Sequence, residues 1–387
     1  MFSTRVPGDR RPNRLALALA AVRSSGRELL DLTATNPTTA GFNYPPALLQ
    51  PLASAEALTY SPHPFGLPDA RSAVAREFAR RGIRIASDRV VLTASTSEAY
   101  SLLFKLLCAP AGDAVMVPIP SYPLFDHLTE LDGVATIPYP LEYHSRWALD
   151  TDALDRRWMP NVRAVLAVSP NNPTGSVLSP PERAVLDGCC AARDAALILD
   201  EVFADFSLDG SAAGSVEETS HALTFRLGGL SKSAGLPQVK LGWIGVEGPD
   251  ALVTEALDRL ELICDTYLSV STPVQIATPD LLDAGETVRR QILERIKQNY
   301  ETLRAIGGLY PSIEVLPAEA GWSAVLRVPS VRSEEDLVLE LLEHHDVLVH
   351  PGFFFDFPQE AFLVLSLLPA FPVFERGVRV LMERAHG

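Results

Sequence analysis

The residue with the strongest chemical case is Lys232, in the run Leu230-Ser231-Lys232-Ser233-Ala234-Gly235-Leu236-Pro237. An apolar, strand-like segment, 222–227, and the pair Gly228-Gly229 precede it, and a second apolar segment, 241–246, follows. Burial disfavours an ammonium, so an amine in such a place becomes a nucleophile toward an aldehyde. A solvated lysine in a turn has the same local sequence, so the case rests on what the chain carries elsewhere. Three further strand-like segments end in residues of unusual chemistry. Segment 196–199 ends at Asp200-Glu201, where a carboxylate directly behind a buried strand must find a partner. A helix cap or an internal ion pair are the plainer readings there. Segment 162–168 ends at Ser169-Pro170-Asn171-Asn172-Pro173-Thr174-Gly175, a rigid turn that presents an amide side chain. Segment 89–93 ends at Ala94-Ser95-Thr96-Ser97, where hydroxyls and free amides at a helix start form an anion site or an ordinary cap.

These groups complement one another. An amine for an aldehyde, a carboxylate for a pyridine nitrogen, a phosphate cradle and a group to hold the ring are the needs of pyridoxal 5'-phosphate. The protonated ring is then an electron sink for a substrate carbanion.

With these residues in their order, the chain resembles the class I/II aminotransferases of the fold-type I pyridoxal-phosphate enzymes. The resemblance spans essentially the whole chain and rests on Asn171-Asn172-Pro173-Thr174-Gly175, Asp200-Glu201, Ser231-Lys232 and Gly242-Trp243, in that sequence. It implies that Lys232 forms the Schiff base and shuttles the proton. By the same resemblance Asp200 pairs with the pyridinium nitrogen and Asn172 bonds the phenolic oxygen. Tyr122, in Pro120-Ser121-Tyr122-Pro123, would stack on the ring; as a bare residue it reads equally as core. Ser95, Thr96 and Ser97 would cradle the phosphate, joined by Ser231, and Lys240 stands where the family has a phosphate-binding arginine. Lysine keeps that charge and loses the bidentate fork. Tyr60 matches a tyrosine that reaches the neighbouring subunit's phosphate, which implies a homodimer with shared active sites.

The resemblance also has departures. Phe203 stands where tyrosine is usual, so the phenolic oxygen loses a hydrogen bond. Gly229 replaces a hydroxyl residue. In the last strand, Leu363-Val364-Leu365-Ser366 puts Val364 where an arginine grips the substrate α-carboxylate. Valine cannot do so: either Arg327 or Lys240 stands in, or the substrate lacks that carboxylate. The aromatic run His350-Pro351-Gly352-Phe353-Phe354-Phe355 either lines the entrance or packs a domain interface. The expected activity is transfer of an amino group from an amino donor to a 2-oxo acid or other carbonyl acceptor. A lyase, cyclase or decarboxylase on the same scaffold is the alternative, and a ligand-sensing regulator a distant third.

The elements needed to position these residues are legible in outline. From residue 89 to 246 apolar runs alternate with helical patterns, the rhythm of a mostly parallel sheet with helices on both sides. Asp69 caps a helix to Arg81 that Gly82 stops. Two helices, at 250–264 and around 286–306, lead into short strands at 313–316, 322–328, 347–349 and 361–366, with helices at 334–344 and 373–383. The expectation is an α/β fold: a large pyridoxal-phosphate domain, 44–285, a smaller α+β domain, 286–387, and an N-terminal arm, 1–43, that joins the smaller one. The chain has 387 residues, 47% hydrophobic, enough for two cores. A net charge of −15 argues against nucleic-acid or anionic-membrane surfaces. Four cysteines lack disulfide or metal spacing, and 15–22 reads as a helix rather than a signal peptide. No stretch approaches a membrane span. A cytoplasmic protein is expected.

Overall fold

The structure is a computed structural model that describes residues 2–9, 11–210 and 220–386. Its first helix, α1 (Arg14–Ser24), is capped by Asn13, whose side chain accepts from the Ala16 amide, and it buries Leu15, Ala18 and Val22. Next comes β1 (Leu30–Asp31), then α2 (Pro68–Arg80). The cap of α2 differs from the sequence expectation. Leu67 is the N-cap, without a side-chain bond, and Pro68 opens the helix. Proline has no amide to leave unpaired and its φ is already helical, so no Asp cap is required. Asp69 sits in the first turn, where its charge faces the positive end of the helix dipole.

The large sheet holds β2 (Val90–Thr93), β3 (Ala114–Ile119), β4 (Ala135–Tyr143), β5 (Trp147–Leu149), β6 (Val162–Val168), β7 (Ala196–Asp200), β8 (Thr224–Gly229) and β9 (Gly242–Glu247). Among the described residues its order is β2-β9-β8-β7-β6-β3-β4-β5. Pairs β3–β4, β3–β6, β6–β7 and β7–β8 are parallel, whereas β9 runs against both β2 and β8, and β5 against β4. The helices of this part are α3 (Thr96–Leu107), α4 (Leu124–Asp132), α5 (Thr151–Arg157), α6 (Pro180–Ala191), the single turn α7 (Leu230–Ser233) and α8 (Asp250–Tyr267). Alternate residues of the central strands feed opposite cores. Leu166, Ile198 and Phe225 join Phe104 and Leu260 on one face, while Val165, Leu197 and Leu199 join Leu154 and Leu186 on the other. That two-faced burial is why these strands read as unbroken apolar runs. The short strand β5, which turns back on β4, and the helix α5 were not anticipated.

Helix α9 (Thr272–Gly307) carries the chain onward in 36 residues. It starts well before the 286 expected from the sequence and carries Pro279 within it. Beyond lie β10 (Glu314–Val315), β11 (Ser323–Arg327), α10 (Glu334–His345), β12 (Val347–Leu348), β13 (His350–Pro351), β14 (Phe362–Ser366) and α11 (Phe371–Ala385). An antiparallel sheet orders β10-β11-β14-β13, and β1 pairs in parallel with β12, so the arm joins this later part. Leu363 and Leu365 of β14 pack with Ile296, Leu303 and Val378 of the neighbouring helices. Val364 and Phe362 face the opposite way, against Trp147 and Phe355.

Candidate active site

Three adjacent parallel strands end together. In register, Val168 of β6 lies beside Asp200 of β7, and Asp200 beside Leu227 of β8. Two strand residues beyond Leu227, the chain turns into α7 and presents Lys232. The Lys232 amine lies 4.9 Å above the Trp322 ring and 5.4 Å from that of Phe203, which meet edge to face. Burial between these rings lowers its pKa from the ordinary 10.5 to about 8; Asp200 pulls the other way and loses. A solvated surface lysine is therefore not what the fold makes of this residue.

Asp200 and Glu201 take different roles. Glu201 is the internal ion pair: it binds Arg226, which also binds Glu247, and Arg81 adds a contact at 3.2 Å. Burial opposes its charge, but the arginines outweigh burial and hold its pKa down. Asp200 has no arginine. It is 7% exposed, and its Oδ1 accepts the Val202 amide at 3.1 Å while Oδ2 accepts the Tyr100 hydroxyl at 2.5 Å. Burial raises its pKa despite those donors and the charge of Lys232. A carboxylate kept this deep with room for a further donor is a receptor for a cationic N–H.

Asn172 stands in the turn after β6, its Oδ1 accepting from Ser323 Oγ of β11 at 3.2 Å. The turn is fixed from within by Thr174 Oγ1 on Asn171 Oδ1 at 2.9 Å. It is fixed from without by Gly175, whose carbonyl receives the amides of Glu319 and Ala320. Gly175 has φ +69°, and a Cβ there would come within 2.6 Å of the Ala318 Cβ. Only glycine meets both demands.

The hydroxyl run at the start of α3 is a cap and more. Ser95 Oγ accepts the Glu98 amide at 3.1 Å, so the ordinary capping role is real. The amides of Thr96 and Ser97, in the first turn, have no acceptor within the helix. Thr93 pairs with Gly242, and Gly242 with Gly229, so this helix start lies two strands from the chain that turns into Lys232. A Cβ on Gly242 would lie 2.8 Å from the Ser95 carbonyl carbon and 3.0 Å from the Thr96 nitrogen, so glycine sets how closely they approach. Ser231 lies beside Lys232 on α7.

Tyr122 follows β3, its ring edge-on to Phe125 at 6.4 Å, and burial together with the charge of Asp200 raises its pKa. Phe125 also meets Tyr100 edge-on, and Tyr100 bonds Asp200, so Tyr122 stands one ring away from that carboxylate's partner. Lys240, exposed and with φ +62°, stands two residues before Gly242, the glycine that packs against the Ser95 and Thr96 backbone. Tyr60 does not join the others within one chain. It is 71% exposed and lines a separate recess with Cys264, Tyr267 and Gln275.

Three residues near the centre were not legible: Tyr100, Trp322 and Ser323. The first two look like core aromatics in the sequence. Phe355 places its carbonyl on the Ser121 amide at 3.0 Å, so the aromatic run after His350 docks beside Tyr122. Of the stand-ins for a carboxylate-binding arginine, Arg327 is engaged by Glu314 and half exposed. Val364 is 2% exposed among Trp147, Val325, Phe355 and Phe362. His350 pairs with Val364 across the sheet, and its Nδ1 is buried without a partner.

The chain is similar to known proteins in sequence and in fold. The sequence profile described as "Aminotransferase class I and II" matches residues 27–370. An alanine aminotransferase of Mycobacterium tuberculosis is 27% identical over 380 residues, 94% of this chain and 86% of that protein. A glutamate-pyruvate aminotransferase of Haemophilus influenzae is 24% identical over 354 residues, 86% and 84% of the two chains. The crystal structure of an aminotransferase from Escherichia coli superposes with a TM-score of 0.88 at 21% identity, covering 100% of this chain and 98% of that one. At that identity it shows the shared fold.

Proposed function

The chain belongs to the aminotransferase class I and II family and is a transferase of amino groups, and from that premise we propose that it works with pyridoxal 5'-phosphate held on Lys232. The observation that carries the cofactor assignment is a desolvated amine facing a deeply buried carboxylate at neighbouring strand ends. The residues present fit the group. Lys232 Nζ would hold its aldehyde carbon, Asp200 its ring nitrogen and Asn172 its phenolic oxygen. The amides of Thr96 and Ser97, with Ser95, Ser231 and Lys240, would hold its phosphate, and Tyr122 would cover its ring. When bound, the cofactor supplies an electron sink for the negative charge left at the substrate α-carbon.

The chain supplies the rest. Lys232 Nζ, with a pKa of about 8, is partly neutral at physiological pH and so is able to take a proton from the substrate carbon and return it elsewhere. Asp200, ionised, would hold a proton on the ring nitrogen of the bound group. Trp322 and Phe203 wall the amine from water. The small sheet reaches the site through Ser323, whose hydroxyl meets Asn172; in this reading residues 44–285 would hold the cofactor and residues 286–387 form the second domain. Tyr60 projects toward a second copy, in a homodimer with shared sites; the exposure of Tyr60 and Tyr267 around one recess supports this. The unpaired thiols Cys108, Cys190 and Cys264, all buried, suit a reducing cytoplasm.

The test is a donor screen on the holoenzyme without acceptor. Alanine, glutamate and valine cover small, acidic and branched donors, the first two drawn from the relatives' names. Amines without a carboxylate follow from Val364. An aminotransferase converts its bound chromophore stoichiometrically with donor alone, and pyruvate or another carbonyl acceptor restores it. Product release with the chromophore unchanged would replace transamination with a lyase or decarboxylase reading.

A further inference from the structure

Tyr100 has no role in the account so far, yet it makes the shortest contact to the central carboxylate. It is 3% exposed, its ring set between Phe104 at 6.1 Å and Phe125 at 5.4 Å, the latter edge-on. Packing thus fixes the ring, and with it the direction of the hydroxyl. That hydroxyl donates to Asp200 Oδ2 at 2.5 Å. The other oxygen takes only a backbone amide, so Tyr100 is the side chain that orients the carboxylate.

Its position on α3 adds a second consequence. Thr96, in the proposed phosphate cradle, lies four residues earlier on the same helix. One helical turn, about 6 Å at 1.5 Å per residue, separates the two. A single rigid element therefore sets both the anion site and the orientation of Asp200, on the length scale of one substituted pyridine.

We propose that Tyr100 is a positioning residue for the cofactor site: its hydroxyl holds Asp200 ionised and aimed at the ring nitrogen, so that the proton stays on the nitrogen. This rests on the reading of Asp200 given above. The physics is a competition for one proton. In a dry site a neutral acid beside a neutral pyridine rivals a carboxylate beside a pyridinium. A donor on Oδ2 stabilises the anion and tips the balance toward the ion pair. Burial keeps Tyr100 itself a neutral donor: burial and the nearby Asp200 charge both raise its pKa well above the ordinary 10.

Tyr100→Phe removes the hydroxyl and keeps the ring. The holoenzyme would be reconstituted with pyridoxal phosphate labelled with 15N in the ring, and the nitrogen shift followed against pH alongside kcat with the best donor. The expected result is a shift moved toward unprotonated nitrogen and kcat reduced at least about tenfold, with the cofactor still bound. In an Asp200→Asn background the same substitution should change kcat less than about twofold, because its target is gone. Should the phenylalanine variant not fold, Tyr100→Met fills the ring-lined space without a hydroxyl and carries the same expectation. A protonated nitrogen and unchanged kcat in a folded variant would overturn the proposal and leave Tyr100 a packing residue. A wild-type protein that binds no pyridoxal phosphate would overturn the cofactor reading instead.

Discussion

Replacing Lys232 with methionine should make the cofactor-free protein more stable, and by an amount that depends on pH. Burial takes the Lys232 ammonium from 10.5 to about 8, a value that already contains the opposing pull of Asp200. At about 1.4 kcal/mol per unit, the folded state bears roughly 3 kcal/mol for keeping this side chain charged. Attraction of the ammonium to the Trp322 and Phe203 faces returns up to ~1 kcal/mol, leaving about 2–3. The sign follows from linkage. Below pH 8 both folded and unfolded chains carry the proton and the folded state bears the whole cost. Between 8 and 10.5 the folded state sheds the proton first, so the cost declines, and above 10.5 it vanishes. Methionine has similar length and no charge. Urea unfolding of both apoproteins at matched slopes should therefore show Lys232→Met more stable by about 2–3 kcal/mol at pH 7, the gap falling to roughly half by pH 9.5. A variant no more stable than the parent at pH 7, or a gap that does not narrow, would refute the claim that the amine is desolvated.

Asp200→Asn should bind the cofactor and slow the donor half-reaction on the order of a hundredfold or more, since an amide cannot hold the nitrogen proton; a rate near wild type excludes the assigned role. Arg226→Ala leaves Glu201 and Glu247 facing each other without their shared cation, and equilibrium unfolding should register a loss of roughly 3–5 kcal/mol at pH 7. Because Glu201 is held below its usual pKa, the part of that loss due to its charge shrinks as pH falls through its folded value. If sites are shared, mixing Tyr60→Ala with Lys232→Ala chains should rebuild one intact site per mixed dimer and restore activity that neither variant has alone. No recovery in demonstrably exchanged dimers counts against Tyr60 acting across an interface.

The parts of the site that the sequence disclosed are those where chemistry and backbone geometry coincide. Asp200 behind an apolar strand, and Lys232 behind a Gly-Gly pair, are each unusual for a buried strand end, and register then brings them together. The hydroxyl run before α3 was legible because caps have a composition of their own. Glycine at 175 and 242 marks close backbone approach. What stayed hidden has no local signature. Tyr100 sits on the core face of α3, where a tyrosine and a phenylalanine are equivalent in pattern, and only the fold brings Asp200 to its hydroxyl. Trp322 comes from the later part of the chain, so its contact with Lys232 depends on docking rather than periodicity. Helix α9 begins at Thr272, well before the 286 expected, and runs through Pro279, whose ring forgoes the bond to the Gln275 carbonyl; packing of the long buried face outweighs that loss. Asp69 has the composition of a cap, but the adjacent proline already starts the helix.

The most direct test of the central claim uses the scarcity of lysine here. The chain has only Lys105, Lys232, Lys240 and Lys297. The protein would be incubated with pyridoxal phosphate, reduced with borohydride, digested and mapped by mass spectrometry. One phosphopyridoxyl group per chain, on Lys232, with the visible band lost on reduction, is the predicted result. A protein that stays colourless, or a label that falls on another lysine while Lys232 remains free, would contradict the account.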